Sequence, residues 1–124
     1  MFWNKKKTKE KSTAINWEQL NTVDQLEELI EKSKSKPVAI FKHSTRCSIS
    51  STALNRLERT WNDGLNGFKM YFLDLIAHRD ISNAIAEKFD VIHESPQLIV
   101  IKNGEAAYSA SHLSIRTEDL KQFS

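Results

Sequence analysis

The residue of this sequence best equipped for chemistry is its single cysteine, Cys47. It lies between a short apolar run, residues 38–41, and an amphipathic segment that begins near Ser48. A cysteine at such a strand-to-helix junction sits beside the free N–H groups of the first helical turn, at the positive end of the helix dipole. With Arg46 adjacent and His43 close before it, this setting favours the thiolate, the form that attacks disulfides. We therefore predict that Cys47 is a redox nucleophile rather than a small buried hydrophobe.

The residue three positions after the cysteine limits what this nucleophile can do. Ser50 and Cys47 share one face of the predicted helix, so the serine hydroxyl is expected to donate a hydrogen bond to the thiolate. A hydroxyl cannot displace a sulfur from a mixed disulfide, and the chain has no other cysteine. The second thiol must then come from solution, which predicts a monothiol mechanism.

Apolar periodicity predicts alternating helices and strands around this junction. A capping box formed by Thr22 and Gln25 begins a helix that Pro37 ends. The remaining predicted elements are a strand over 38–41, a helix over 48–61, a strand over 70–76, a helix over 79–89, a strand over 97–102, a hairpin at 103–104 leading into 106–110, and a last helix over about 114–123. Strands that alternate with helices favour parallel pairing, and the hairpin adds an antiparallel edge.

Length, charge and cysteine content restrict the class of protein. The 124 residues fit one domain, and a formal net charge of +2 argues against nucleic-acid binding. No apolar run approaches the roughly 20 residues of a membrane span. One cysteine cannot form an internal disulfide, so we predict a cytoplasmic protein, and we expect a monomer.

The first 14 residues differ from the rest in composition. Residues 1–14 carry five lysines against one glutamate and predict a flexible basic tail, whereas residues 15–124 predict the folded domain. The tail is expected to be solvated. The alternative is an arm that binds a surface through Phe2 and Trp3.

The cysteine segment T-R-C-S-I-S, followed later by E-S-P-Q-L-I-V and a hairpin, resembles the thioredoxin superfamily. In that superfamily a C-x-x-C motif opens a helix beside a cis-proline loop. Cys47 matches the attacking cysteine, Ser50 stands in the place of the resolving cysteine, and Pro96 matches the cis-proline. The resemblance implies a three-layer α/β/α fold with a mixed four-stranded central sheet.

A narrower resemblance covers residues 17–123. The stretch F-K-H-S-T-R-C-S-I-S, with S-H-L-S-I-R near the end, resembles the YtxJ proteins of the bacillithiol system, which are monothiol thioredoxin-like proteins. It implies that Cys47 removes bacillithiol from S-thiolated proteins, with bacillithiol as co-substrate and no bound cofactor. The site residues implied are Arg46, Ser50 and His43 for stabilising the thiolate, and Thr45, Ser95 and Pro96 for contacting the substrate.

For three other polar residues the sequence leaves two alternative roles. Asp74 either assists proton transfer below the sulfur or ends its strand. His112 and Arg116 either contact an acidic small thiol or cap the last helix. His78 and His93 show no ligand spacing with the cysteine, and we predict no metal site.

Two other functions remain open at this level, and so does the question of whether the protein is an enzyme. One is a non-catalytic redox sensor or partner-binding module in which Cys47 is modified. The other is an iron–sulfur cluster carrier, because C-x-x-S also resembles the C-G-F-S motif of monothiol glutaredoxins. The dipeptide Ser48-Ile49 in place of Gly-Phe weakens the carrier hypothesis.

Overall fold

A computed structural model describes residues 15–65 and 67–123. The predicted basic tail, residues 1–14, lies outside the described residues. The elements are β1 (Trp17–Gln19), α1 (Val23–Lys32), β2 (Val38–His43), α2 (Ser48–Thr60), β3 (Lys69–Asp74), α3 (Arg79–Phe89), β4 (Gln97–Lys102) and β5 (Glu105–Ser111), with short 3-10 helices at Asp63–Leu65, His112–Ser114 and Thr117–Phe123.

The sheet places β2 at its centre. Its strand order is β1-β3-β2-β4-β5, with β1 and β2 parallel to β3, and β4 antiparallel to both β2 and β5. All six residues of β2 are buried, which explains the continuous apolar run in this part of the sequence. The tight turn between β4 and β5 uses Asn103 and Gly104, both with positive φ, so the predicted hairpin is confirmed.

Helices cover both faces of the sheet. Ala39 and Phe41 of β2 pack with Leu57 of α2 and the C-terminal segment in one core. Val38 and Ile40 point to the opposite face, into a second core shared with α1 and α3. This alternation follows from the two-residue period of a strand, and it produces the three-layer α/β/α arrangement that the resemblance implies.

The capping signal at the start of α1 is confirmed. The Thr22 hydroxyl accepts a hydrogen bond from the Gln25 backbone N–H at 3.1 Å, and the Gln25 side chain accepts one from the Thr22 N–H at 3.0 Å. The helix ends at Lys32, and a turn over residues 33–35 and a bend at Lys36 lead to Pro37.

Two structural predictions need correction. The described sheet has five strands rather than four, because Trp17–Gln19 pairs with β3 as an edge strand. Three residues are too few to show a period, so this strand could not be predicted from apolar periodicity. The predicted last helix is two 3-10 segments, His112–Ser114 and Thr117–Phe123. No helix within the described ranges has the length and apolar character needed to cross a bilayer.

Candidate functional site

Cys47 occupies the N-cap position of α2, directly after the loop that leaves β2. Its own N–H donates to the Ser44 carbonyl at 3.2 Å, and its carbonyl accepts the Ser50 N–H at 3.0 Å, which starts the helix. The cysteine is partly exposed and is a free thiol. The predicted strand-to-helix junction is therefore confirmed, and the sulfur lies at the end of the helix where backbone N–H groups are free to interact with negative charge.

Ser50 lies beneath the cysteine and is fully buried. Its hydroxyl oxygen lies 2.7 Å from His43 Nδ1 and accepts the Ser44 N–H at 3.1 Å. The expected hydrogen bond to the Cys47 sulfur is not formed in the described part of the chain. The side chain at this first-turn position points inward to the strand, where the imidazole engages it, so stabilisation of the thiolate by Ser50 stays a prediction.

His43 ends β2 on the same face of the sheet as α2. It is 7% exposed, and its ring packs near those of Phe41 and Phe72, with centroids 6.1 and 5.3 Å away. Burial lowers the pKa of the His43 imidazole, and the nearby Asp74 carboxylate opposes this shift in part. The imidazole is therefore mainly neutral at pH 7 and acts as a hydrogen-bond partner of Ser50.

Replacing Ser50 with alanine is expected to lower the free energy of unfolding. The change leaves the Ser44 N–H and His43 Nδ1 buried without their partner, which costs about 1–3 kcal/mol. Urea unfolding of Ser50→Ala measures the loss. The exposed neighbour supplies the control, because Ser51→Ala should stay within about 0.5 kcal/mol of the parent protein. Equal stability of the two variants would contradict the hydrogen-bonding role of Ser50.

The other residues predicted around the thiol are solvent-exposed. Thr45 and Arg46 lie on the loop between β2 and α2, where the Arg46 N–H donates to the Ser44 hydroxyl at 3.3 Å. Within residues 15–65 and 67–123, the Arg46 guanidinium forms no ion pair and no hydrogen bond to the sulfur. Its exposed position leaves it available to a ligand, and its predicted effect on the thiolate stays a prediction.

The cis-proline loop reaches the same end of the sheet. The Ser95–Pro96 peptide bond is cis, and Pro96 directly precedes β4. Gln97, the first residue of β4, pairs with Lys42, which lies five residues before Cys47 in the sequence. The start of β4 therefore lies beside the end of β2. The structure thus brings Pro96 and the cysteine loop to one edge, and the Ser95 hydroxyl is buried there without a hydrogen-bond partner.

The loop before Pro96 is held by side chains from several elements. Gln97 donates through Nε2 to the Ile92 carbonyl at 3.0 Å and accepts the Glu94 N–H at 3.4 Å. On its outer side, His112 donates its N–H to the Pro96 carbonyl at 3.0 Å, and its Nε2 lies 3.6 Å from the Glu94 carboxylate. His112 adopts a positive φ of 56°, a conformation that is uncommon for residues other than glycine.

Sequence reasoning missed a third contact to this loop. Lys42 is fully buried, and its Nζ lies 2.7 Å from His93 Nδ1. The available signal was a lysine directly after the apolar run of residues 38–41, where the strand continues.

Asp74 and Arg116, whose roles the sequence leaves open, make local contacts in the structure. Asp74 ends β3, where its carboxylate accepts the N–H groups of Ile76 and Ala77 at 3.1 and 3.2 Å. Arg116 pairs with Asp119 at 3.0 Å and with Glu118 at 3.5 Å, within the C-terminal segment. No cluster of three or more His, Cys, Asp or Glu side chains suited to a metal is present among the described residues.

Comparison with known proteins identifies both a family and a fold. The model of the family described as monothiol bacilliredoxin BrxC matches residues 18–120. A solved structure described as a candidate oxidoreductase with a thioredoxin fold shares 34% identity at a TM-score of 0.73, covering 86% of this chain and 91% of that one.

Two thioredoxin structures support the fold alone. The thioredoxin of Malassezia sympodialis shares 15% identity at a TM-score of 0.68, with 88% and 87% of the two chains covered. That of Schistosoma mansoni shares 23% identity at a TM-score of 0.64, with 86% and 93% covered. The fold of this chain is therefore thioredoxin-like.

Proposed function

The chain belongs to the monothiol bacilliredoxin BrxC family, and on that premise we propose that Cys47 removes a low-molecular-weight thiol, bacillithiol, from S-thiolated proteins. The family and the fold support a thiol–disulfide redox role. The identity of the thiol and the narrower likeness to the YtxJ proteins are part of the proposal, supported by the F-K-H-S-T-R-C-S-I-S stretch around Cys47.

One observation carries the proposal: a partly exposed thiol caps α2, and the position that could hold a resolving thiol holds a buried serine. The hydroxyl of Ser50 is occupied by His43 and Ser44, and it cannot break a disulfide. A mixed disulfide on Cys47 therefore persists until a thiol arrives from solution.

The proposed reaction has two thiol–disulfide exchange steps, and the first needs only the Cys47 thiolate and the mixed disulfide. The Cys47 thiolate attacks the sulfur of the small thiol in the protein mixed disulfide. A new disulfide forms between Cys47 and the small thiol, the original disulfide breaks, and the protein leaves as a thiolate that takes a proton from solvent. A second molecule of small thiol then attacks the adduct, which releases the symmetric disulfide and restores Cys47.

The cis-proline loop supplies the proposed contact to the protein substrate. Its segment at Ser95 and Pro96 lies at the edge of the sheet reached by the cysteine loop. The backbone of Ser95 and the exposed Thr45 are the polar groups proposed to contact a bound chain, whereas the Ser95 hydroxyl is buried. Cytoplasmic localisation and a monomeric state remain predictions.

A transfer assay tests the proposal. A test protein with one surface cysteine is prepared with bacillithiol and, separately, with glutathione as the disulfide-linked adduct, and each form is mixed with the reduced chain. Intact-mass spectrometry should show the bacillithiol adduct moving to the chain in a one-to-one ratio, and faster than the glutathione adduct. The control is the chain alkylated at Cys47, which should acquire nothing.

Each failure has a distinct meaning. An adduct that stays on the test protein, or that appears on the alkylated chain, would contradict exchange through Cys47. Equal transfer rates for the two thiols would refute the preference for bacillithiol while leaving the exchange chemistry intact.

A further inference from the structure

Lys42 is a buried cation without an acidic partner. Its side chain is fully buried at the end of β2, and no carboxylate lies within ion-pair distance of its Nζ among the residues that the structure describes. Burial lowers the pKa of Lys42 to about 8, so the ammonium remains the main form at neutral pH. Burying a cation without a compensating anion disfavours folding, so Lys42 is expected to lower the free energy of unfolding.

The ammonium is held by a loop residue. His93 Nδ1 lies 2.7 Å from Lys42 Nζ, and the Ser82 hydroxyl of α3 lies 3.3 Å from the same ring nitrogen. An ammonium can only donate, so Nδ1 accepts and the imidazole must be neutral. Burial, together with the charges of Lys42 and Arg79, lowers the pKa of His93 in spite of Glu94, which keeps the ring in this accepting form.

His93 belongs to the segment that leads to the cis-proline. This loop, residues 91–95, connects the end of α3 to Pro96 and contains no regular secondary structure. Gln97 holds it through the Ile92 carbonyl and the Glu94 N–H. The contact from Lys42 is the anchor to β2, the strand that also leads to Cys47.

Two consecutive residues of β2 thus serve the two halves of the site. His43 points to the α2 face and bonds Ser50 beneath the cysteine. Lys42 points to the α3 face and bonds the loop that presents Ser95 and Pro96. This division follows from the two-residue period of the strand.

We propose that Lys42 is a positioning residue, which acts through His93 to hold loop 91–95 so that the backbone at Ser95 and Pro96 is presented to the protein substrate. The proposal rests on the proposed function, because it concerns recognition of the S-thiolated protein. It assigns Lys42 no part in the chemistry of the sulfur.

The test compares three variants that alter this contact in different ways. Lys42→Met keeps the length of the side chain and removes the donor, His93→Leu removes the acceptor, and His93→Asn keeps an acceptor near the place of Nδ1. Loss of a hydrogen bond to a charged group predicts roughly a tenfold rise in KM for the S-thiolated test protein in the first two variants. His93→Asn should stay close to the parent protein.

Two readouts separate positioning from general damage. The rate of Cys47 alkylation by iodoacetamide should be unchanged in all variants, and Lys42→Met should unfold at a urea concentration no lower than the parent, since it removes a buried charge. Amide hydrogen exchange at Glu94 should be faster in Lys42→Met and His93→Leu but not in His93→Asn.

Several results would overturn the proposal. They are an unchanged KM in Lys42→Met, an equal effect in His93→Asn, or a parallel loss of alkylation rate. If the parent protein shows no de-thiolation at all, the proposed function fails instead, and hydrogen exchange still decides the role of Lys42: unchanged exchange at Glu94 in Lys42→Met would refute it.

Discussion

Replacing Cys47 with serine is expected to reduce de-thiolation of an S-bacillithiolated test protein to the uncatalysed rate. The chain has no other sulfur that could accept the small thiol, because Cys47 is its single cysteine. A hydroxyl is essentially un-ionised at neutral pH and cannot form the disulfide on which the exchange depends. The measurement is the rate of release of free test protein, followed by intact mass.

The loss should occur without unfolding. The Cys47 side chain makes no capping hydrogen bond to α2, whereas serine is a favoured N-cap residue. Cys47→Ser is therefore expected to unfold at the same denaturant concentration as the parent protein, or at a higher one. Ser48→Ala, at the next exposed position, is the matched control and should keep full activity.

The same experiment separates catalysis from sensing. An enzyme releases many equivalents of test protein per chain when free bacillithiol is supplied, whereas a sensor stops after one equivalent. De-thiolation by Cys47→Ser at the rate of the parent protein would refute the thiol mechanism. A single equivalent from the parent protein would favour the sensor hypothesis.

The position of the nucleophile could be predicted because its signals are local. An apolar run followed by a change to helical spacing marks the junction of β2 and α2, and Cys47 lies at that junction in the structure. The hairpin at Asn103 and Gly104 and the capping box at Thr22 are equally local, since each depends on residues that are near neighbours in sequence.

The features that sequence reasoning missed depend on distant residues. The edge strand Trp17–Gln19 is defined by its pairing with β3, about 50 residues away. The contact of Lys42 with His93 joins residues 51 positions apart, and a lysine that follows an apolar run gives no indication of its partner. The C-terminal segment shows helical spacing, but its hydrogen bonds follow the tighter 3-10 pattern.

Ser50 shows how a correct position can carry an incomplete interpretation. The i, i+3 spacing places its Cα near that of Cys47, as predicted. The spacing does not determine which neighbouring group forms a hydrogen bond with the Ser50 hydroxyl. His43 and Ser44 supply a buried partner at each side of the oxygen, and a buried hydroxyl is best satisfied there.

Replacing Ser50 with cysteine is expected to convert the monothiol protein into a dithiol one. The N-cap residue and the third helical residue are close enough for their side chains to reach each other's backbone in a capping box, and a thiol at position 50 is therefore within reach of an adduct on Cys47. The new thiol should attack the Cys47 sulfur, release the small thiol and leave an internal disulfide. Because the attack is intramolecular, release should be faster than in the parent protein at millimolar external thiol by at least about a hundredfold.

The matched control is Thr52→Cys, which adds a thiol two residues further on, at an exposed position. Thr52 follows Cys47 by five residues, which places its side chain about 140° around the helix axis from the cysteine, so this thiol points away from Cys47 and the adduct should persist as in the parent protein. The measurement follows the mass of each chain after loading with bacillithiol and removing the excess. Persistence of the adduct in Ser50→Cys would show that the buried position is closed to the sulfur. The need for an external thiol would then come from the packing around His43, and not from the absence of a second cysteine alone.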